Sequence, residues 1–471
     1  MKRKLNIPLL IFTIIDIILV FIFMINARML NVLPLKYVIL ILICFLLLHL
    51  IATLLQKKKK KIFKIIGYTI FVLLIIFYSI GIYYTSVTLK FMKTSFNNIK
   101  NTYENTYIVI TNTNYNEIYD LSNKKIGYYK SIPNINLSID KLKSIIEYND
   151  ISYNNVIDMF EDISKNKIDA VLIEKSIYDG MKENINTISF DKYKELYTFT
   201  ITIDEDINVD AIGDVVNIYI SGLDFTNTNS DFNMIVTINR NTKKVLLTSI
   251  PRDYYMYMPT LGMSDSLEFA SVWGINTNKE GLANLFDINV DYTLQIYTKS
   301  LVGLVDSVGG VEFCSDISFR TTHALVLDTY DDTKGKKLYV EKGCKTYNGI
   351  EILTIARERL AFPSGDRQRQ KNCQQIMINI FNKMLHFESV LNYVEILDNL
   401  SDLYSTNIPN KLITGIIQDF INGNKWSIDT QSVDGKSMTA KIHAGTVYGY
   451  AMNPTLETVE TAKNKIKELS N

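Results

Sequence analysis

The sequence predicts a mixed α/β protein, part α/β and part α+β, that starts with three transmembrane helices. Three observations predict it. Three apolar segments, each about 20 residues long and so long enough to cross a bilayer, follow one another in residues 1–90. Beyond about residue 106, short runs rich in Val, Ile and Tyr alternate with stretches of helical spacing, as strands linked by helices do. The 471 residues allow two or three domains, and a formal net charge of +1 provides no global field to draw in nucleic acid.

The apolar segments are Ile7–Ala27, Tyr37–Leu55 and Ile62–Tyr84. The first has the length of a signal peptide, but no small-residue cleavage site follows and two further spans do. Lys2, Arg3 and Lys4 precede the first span, and Lys57–Lys61 with Lys64 separate the second from the third. The loop between spans one and two carries only Arg28 and Lys36. Lysines concentrate on the cytoplasmic side, so the third span should lead out of the cell and the rest should lie on the extracellular face, as a multi-pass cell-membrane protein. Asp16 is costly within span one; it either marks a helix–helix contact or sits close enough to an end to be tolerated. Cys44 lies in span two, and Cys314, Cys344 and Cys373 fall on the outer side, where disulfides persist. Cys314–Cys344 is the preferred pairing because the two flank one excursion of the chain, although three cysteines allow three pairings. No CxxC occurs, and His323, His386 and His443 are scattered, so no zinc spacing is present.

Residues 91–210 should form a small accessory α/β domain. Tyr107–Ile110, Lys125–Tyr129 and Lys167–Ile173 read as strands, and Ser138–Tyr148 and Asn154–Lys165 as helices. The module loosely resembles one lobe of an extracellular solute-binding protein, which implies either ligand binding or a spacer role.

Residues 211–471 should form the larger domain, with a core at 215–390. Val215–Ile220, Asn233–Asn239 and Val245–Ile250 read as strands, the last two as a hairpin running into Pro251-Arg252-Asp253. A short helix at Gly281–Phe286, a strand at Tyr292–Tyr297 and a helix at Lys299–Val308 follow, the helix closed by Gly309-Gly310. Val311–Phe313 is a further strand. An arginine-rich loop then leads to a helix at Asn372–His386 and more helix within Val390–Asn422. Strands at Ser427–Ser432 and Thr439–Ile442 and an amphipathic helix at Leu456–Leu469 complete the chain.

Three clusters carry chemistry. Asp224 and Asp231 end one strand and begin the next; alone they read as turn acids, and together their hard oxygens suit Mg²⁺ or Mn²⁺. Arg252 is held where Pro251 ends a strand, beside Asp253. Arg357, Arg359, Asp366 and Arg369 form the third cluster, either a charged loop laced by ion pairs or a set of guanidinium forks for phosphate oxygens. Acids for a metal together with several arginines suit a pyrophosphate. Neither a P-loop nor a GxGxxG motif is present.

The blocks NIYISGLD, SDFNMIVTINRNTKKVLLTSIPRDYY, DSLEFASVWG, VDYTLQIYTKSLVGLVDSVGGVEF and ARERLAFPSGDRQRQKN, in that order, resemble the LytR-CpsA-Psr family. The resemblance covers about residues 215 to 390, and the membrane-spanning start resembles the family's multi-span members. It implies a Gram-positive cell-wall phosphotransferase with a mixed-sheet catalytic domain and a polyprenyl-lipid tunnel. Such an enzyme moves an anionic or secondary glycopolymer, a teichoic acid or capsule, from a polyprenyl-pyrophosphate carrier to peptidoglycan through a phosphodiester. Its implied partners are that carrier, the peptidoglycan acceptor and membrane lipid, with no nucleic acid. By position, Asp224 and Asp231 would hold Mg²⁺ or Mn²⁺, and Arg252, Arg357, Arg359 and Arg369 would clamp the pyrophosphate. Asp366 would order those arginines or help take the acceptor's proton. Leu301, Leu304, Val305, Val308, Ile376 and Ile380 would line the tunnel, though their spacing equally suits core helices. Ser266 stands where a basic residue is common, Tyr297 where asparagine is usual and Cys373 where glutamine is frequent. The alternatives are an extracellular sensor that binds polyprenyl phosphate and a pyrophosphatase without transfer.

Overall fold

In the computed structural model of the chain, the described residues are 7–96, 101–205 apart from 131, 133 and 186, 213–224, 228–327, 335–384, 404–422 and 426–470. The chain forms two compact units. One holds the N-terminal helices with Ile408–Trp426; the other holds Ile99–Asn392, Asp402–Asn407 and Ser427–Asn471.

In the first unit, α1 (Ile7–Leu30), α2 (Leu35–Gln56) and α3 (Lys61–Phe96) are each long and apolar enough to cross a membrane. Asn31, with φ at 50°, follows the end of α1, and Pro34 precedes α2. The interface is aromatic, with Phe45 edge-on to Tyr78 at 4.9 Å between centroids. Gly67 lets α3 approach α2, since a Cβ there would lie 2.8 Å from the Ala52 carbonyl oxygen. Asp16 makes a helix–helix contact: its carboxylate meets Nδ1 of His49 on α2 at 2.6 Å and is 2 % exposed. Loss of the histidine alone strands a buried carboxylate. His49→Ala should therefore cost the helix bundle about 1–2 kcal/mol in thermal unfolding of the detergent-solubilised chain. Asp16→Leu combined with His49→Leu should recover most of that, because an apolar pair removes both desolvation penalties. Equal melting of His49→Ala and the parent would show that the pair contributes nothing.

The second unit contains two larger sheets. The first is built from β1 (Asn101–Thr111), β2 (Lys125–Tyr129), β3 (Asn149–Tyr153), β4 (Ala170–Glu174) and β5 (Lys194–Glu205), in the order β3-β2-β4-β1-β5. Strands β2, β3 and β4 pair in parallel, and β1 runs antiparallel to both β4 and β5. Helices α4 (Ile135–Lys143), α5 (Val156–Ser164) and α6 (Lys175–Asn184) make the crossovers. The helix expected to continue to Tyr148 stops at Lys143, and β3 takes up the chain from Asn149. As an edge strand β3 leaves three of its five residues exposed, so the sequence there lacks the apolar run of a buried strand.

The second sheet runs β16-β11-β6-β7-β8-β17, with β6 (Val215–Leu223), β7 (Ser230–Asn239), β8 (Lys244–Ile250), β11 (Tyr292–Ile296), β16 (Tyr404–Thr406) and β17 (Ser427–Ser432). Strands β6, β7 and β8 form an antiparallel meander, extended in parallel by β11 on one side and β17 on the other. One core of buried side chains runs through both sheets. The Tyr129 hydroxyl donates to the Thr260 carbonyl at 2.8 Å, and its ring meets Trp273 edge-on. Gly180 of α6 leaves room for Val272.

After β8 the chain forms a small antiparallel pair, β9 (Tyr255–Met258) with β10 (Met263–Ser266), then α7 (Leu267–Ala270) and α8 (Ile275–Phe286). Helix α9 (Thr298–Ser307) follows β11. Strands β12 (Val311–Ser315) and β15 (Gly343–Tyr347) pair across the Cys314–Cys344 disulfide, and β13 (Phe319–Ala324) pairs with β14 (Lys337–Val340). Two helices complete the site's frame, α10 (Gly349–Arg357) and α11 (Asp366–Met384). The helix expected from Asn372 begins six residues earlier, so the arginine stretch is largely helical. Its buried face there is Arg369, Gln370 and Asn372, so the apolar spacing that signals a helix appears only from Ile376. The chain closes on a hairpin, β18 (Gly435–Ile442) with β19 (Val447–Pro454), and a helix at Leu456–Ser470. Much of the helical stretch expected within 390–422 lies outside the described residues; a helix at Asn410–Ile421 is present.

Candidate functional site

The site begins where β6 turns into β7. The ladder carries a bulge between Gly222 and Leu223, which re-aims the chain just before Asp224. Asp224 is buried and accepts from the Thr228 and Asn229 backbone N–H groups at 3.2 and 3.3 Å and from the Asn229 amide at 3.3 Å. Beneath it, Tyr219 donates to Asn233 at 2.6 Å and receives the Asn278 amide at 3.0 Å, while the Ser221 and Ser230 hydroxyls meet at 2.8 Å. These buried hydrogen bonds tie β6 to β7 and to α8 next to the two acids.

Arg252 is the centre of charge. Its guanidinium hydrogen-bonds Asp231, pairs with Glu268 at 2.9 Å and lies 3.7 Å from Asp253. The four side chains are 11–26 % exposed, so little water screens them. Burial works against the guanidinium charge, but Asp231, then Glu268 and Asp253, more than offset it, and Arg252 stays protonated. Burial raises the Glu268 carboxyl, opposed by Arg252, with Asp231 and Asp253 adding to the rise and Arg369 countering it. Segment geometry follows from the backbone: the Glu268 N–H donates to the Arg252 carbonyl at 2.7 Å.

Asp231 also lies on the wall of an apolar cavity of about 100 Å³. One wall is β6–β7 (Gly222, Leu223, Phe232), and another is β11–α9 (Ile296, Tyr297, Thr298, Leu301). The rest comes from α10 (Leu353, Ala356, Arg357) and α11 (Arg369, Cys373, Ile376, Met377), whose spacing places each set on one helix face. The cavity thus joins an apolar lining to two guanidinium groups and a carboxylate. That combination suits an amphiphile with an anionic head.

The structure brings Asp231, Arg252, Arg357 and Arg369 to this one region. Arg359 is half-buried in the turn after α10 and is not on the cavity wall. Asp366 starts α11, but its side chain lies outside the described residues. Of the expected tunnel residues, Leu301 and Ile376 line the cavity. Leu304, Val305, Val308 and Ile380 do not; Val305, Val308 and Ile380 are buried in core packing instead. Arg367 points away to Asp434 at 2.7 Å and is half-exposed. Cys373 is outside the disulfide and lines the cavity, its thiol donating to the Ala356 carbonyl at 3.4 Å. As ligands for a divalent ion, Asp224 and Asp231 fit in kind. Carboxylate oxygens are the hard donors that Mg²⁺ takes, and the ion completes its shell with water and phosphate oxygens.

Two acids in the site were not singled out from the sequence. Glu268 sits inside the DSLEFASVWG block, and only its distance from Arg252 reveals a role. Glu358, fully buried, accepts from the Thr322 N–H, from the Thr322 hydroxyl at 3.1 Å and from the Ala361 N–H at 2.9 Å. It thereby ties β13 to the turn between Arg357 and Arg359. Its neighbours Arg357 and Arg359 suggested a partner for arginine, whereas it serves the backbone.

A family model described as the LytR_cpsA_psr family matches residues 182–465. The chain belongs to the LytR-CpsA-Psr family. The matched region includes every residue of the site, and it also takes in the end of the first sheet. Among characterised LytR-CpsA-Psr relatives, a polyisoprenyl-teichoic acid–peptidoglycan teichoic acid transferase, TagU of Enterococcus faecalis, is 29 % identical over 208 residues, covering 44 % of this chain and 61 % of TagU. Biofilm regulatory protein A of Streptococcus mutans is 29 % identical over 187 residues, covering 38 % of this chain and 45 % of that protein. The chain therefore spans less than two thirds of the length of these relatives. Among solved structures, gbs0355 from Streptococcus agalactiae is 27 % identical with a TM-score of 0.44, over 54 % of this chain and 87 % of that one.

Proposed function

We propose that the protein is a phosphotransferase that moves a cell-wall glycopolymer from a polyprenyl-pyrophosphate carrier to peptidoglycan. The observation that carries this reading is the junction of a cationic cluster with an apolar cavity: Arg357 and Arg369 on its α10 and α11 side, and Arg252 bound to Asp231, which lines it from β7. The first isoprene units would enter the apolar part, and the pyrophosphate would rest among the guanidinium groups. The lysine distribution supports an extracellular site, because Lys57–Lys61 then face the cytoplasm.

In the reaction, a sugar hydroxyl of the acceptor forms a bond to the phosphorus bearing the glycopolymer. The bridging P–O bond breaks, polyprenyl phosphate leaves, and the hydroxyl proton passes to a carboxylate. The arginines stabilise the charge that builds on the phosphoryl oxygens. Asp366 is the carboxylate proposed to order the arginines or accept that proton. Asp224 and Asp231 would hold Mg²⁺ or Mn²⁺, which when bound would neutralise pyrophosphate charge. The teichoic acid named for TagU supports an anionic glycopolymer as the cargo.

The test uses the full chain in detergent with a polyprenyl-pyrophosphate glycan, Mg²⁺ and peptidoglycan. Arg357→Ala and Asp224→Ala should each reduce transfer at least about a hundredfold while leaving the circular dichroism unchanged. Mn²⁺ binding, followed by electron paramagnetic resonance, should weaken in Asp224→Asn without any substrate present. Normal transfer by both alanine variants would remove the catalytic assignment, and unchanged Mn²⁺ binding would remove the metal assignment.

A further inference from the structure

The β18–β19 hairpin presents a face that the reaction site does not use. Its register pairs Lys441 with Tyr448, Thr439 with Tyr450 and Ser437 with Met452. Side chains alternate across a strand, so Ser437, Thr439, Lys441, Tyr448 and Tyr450 share one face. All five are exposed, with Tyr448 at 71 % and Tyr450 at 52 %, whereas Met452, on the same face beside Ser437, is buried. Ala440 and Ala451, on the opposite face, are buried. Two large aromatic rings, two residues apart on one strand, thus stand on the solvent side of the hairpin.

The rings are already arranged among polar and cationic groups. The Lys441 ammonium lies over the Tyr448 ring at 5.6 Å, and the Ser437 and Tyr450 hydroxyls are 3.3 Å apart. At the head of β18, Arg367 is fixed by Asp434 at 2.7 Å and by the Gly435 carbonyl at 3.3 Å. The hydrogen bond from Asp434 stabilises its charge. Arg367 lies two residues before the cavity residue Arg369 on α11. The hairpin is also anchored next to Arg252: the Met452 N–H donates to the Asp253 carbonyl at 2.7 Å. A rigid aromatic strip edged by two cations thus runs from Lys441 up to the first turn of α11.

We propose that this face docks the acceptor, a polysaccharide strand that carries carboxylates. The flat faces of sugar rings stack on tyrosine, the hydroxyls of Ser437, Thr439 and the two tyrosines match sugar hydroxyls, and Lys441 and Arg367 match carboxylates. The proposal rests on the transfer reading above for its biological sense, since an acceptor strand lying here would bring a hydroxyl towards the arginine cluster.

The experiment measures co-sedimentation of the full chain in detergent with sacculi stripped of wall polymer. Tyr448→Ala combined with Tyr450→Ala should weaken binding about tenfold. Tyr448→Phe combined with Tyr450→Phe, which keeps both rings, should retain most of it. Lys441→Ala should reduce binding to native sacculi and have less effect on sacculi whose carboxyls have been amidated. Binding of the double alanine variant within twofold of the parent would overturn the proposal, as would an equal loss in the phenylalanine pair. All of these side chains are exposed, so melting temperature should not change and serves as the folding control. Failure of the transfer reading looks different: a chain that holds sacculi through these tyrosines but never breaks a polyprenyl pyrophosphate keeps the surface and loses the reaction.

Discussion

Arg252→Ala should lower turnover of a polyprenyl-pyrophosphate glycan by about 10²–10³-fold, the scale on which removal of one preorganised charge from a transition state is felt. The same change should destabilise the fold. It leaves Asp231, Glu268 and Asp253 facing one another without their cation, in side chains no more than 26 % exposed. Breaking a fully buried pair costs about 3–5 kcal/mol, and partial exposure discounts this to about 2–3 kcal/mol. Arg252→Lys separates the two effects. It restores a charge for the carboxylates and so most of the stability, but it lacks the fork that meets several oxygens at once. Urea unfolding and donor turnover measured on all three proteins check this. Full activity in Arg252→Lys would show that only the charge matters at that position.

Removing the Cys314–Cys344 disulfide has the second large effect. The bridge closes a loop of sequence separation 30 and joins directly paired positions of β12 and β15. Loop-closure entropy for that length is about 3–4 kcal/mol. The Cys314→Ala/Cys344→Ala protein should therefore lose several degrees of melting temperature. The consequence should reach the site, because β15 leads through Asn348 into α10, which carries Leu353, Ala356 and Arg357 to the cavity. Cys373 takes no part in the disulfide, so Cys373→Ala should leave the Cys314–Cys344 contribution to thermal stability intact. A double variant that melts with the parent would mean that β12 and β15 are already held by their ladder.

The sequence made the buried parts legible. The three spans, β6, β7, β8, β11 and α9 carry runs or spacings of apolar residues, and these appear close to where they were expected. Strands with polar or exposed faces were missed. β3 is an edge strand, and β19 alternates exposed tyrosines with buried alanine, so neither gives an apolar run. The start of α11 was misplaced because its inward face carries Arg369 and Gln370 where a helix packed on a core usually carries Leu or Ile. In the site, residue type and order pointed to Asp231, Arg252, Arg357 and Arg369, since arginines and acids at strand and helix ends have few structural uses there. Glu268 stayed hidden because it meets Arg252 across sixteen positions of sequence, through a turn that only the fold specifies. Val305 and Val308 illustrate the converse. Helical spacing marks an inward face, and it does not say whether that face meets a cavity or the core.

Under the proposed function, the arginine–acid cluster at the apolar cavity transfers a glycopolymer. Phosphorus NMR of the product tests it most directly. The full chain in detergent is incubated with a polyprenyl-pyrophosphate glycan, Mg²⁺ and peptidoglycan, and the washed sacculi are examined. Transfer should give a new phosphodiester resonance on the peptidoglycan together with one equivalent of polyprenyl monophosphate, both lost in Arg357→Ala. Release of polyprenyl monophosphate with the glycopolymer left free in solution as a phosphomonoester would contradict it and identify a pyrophosphatase.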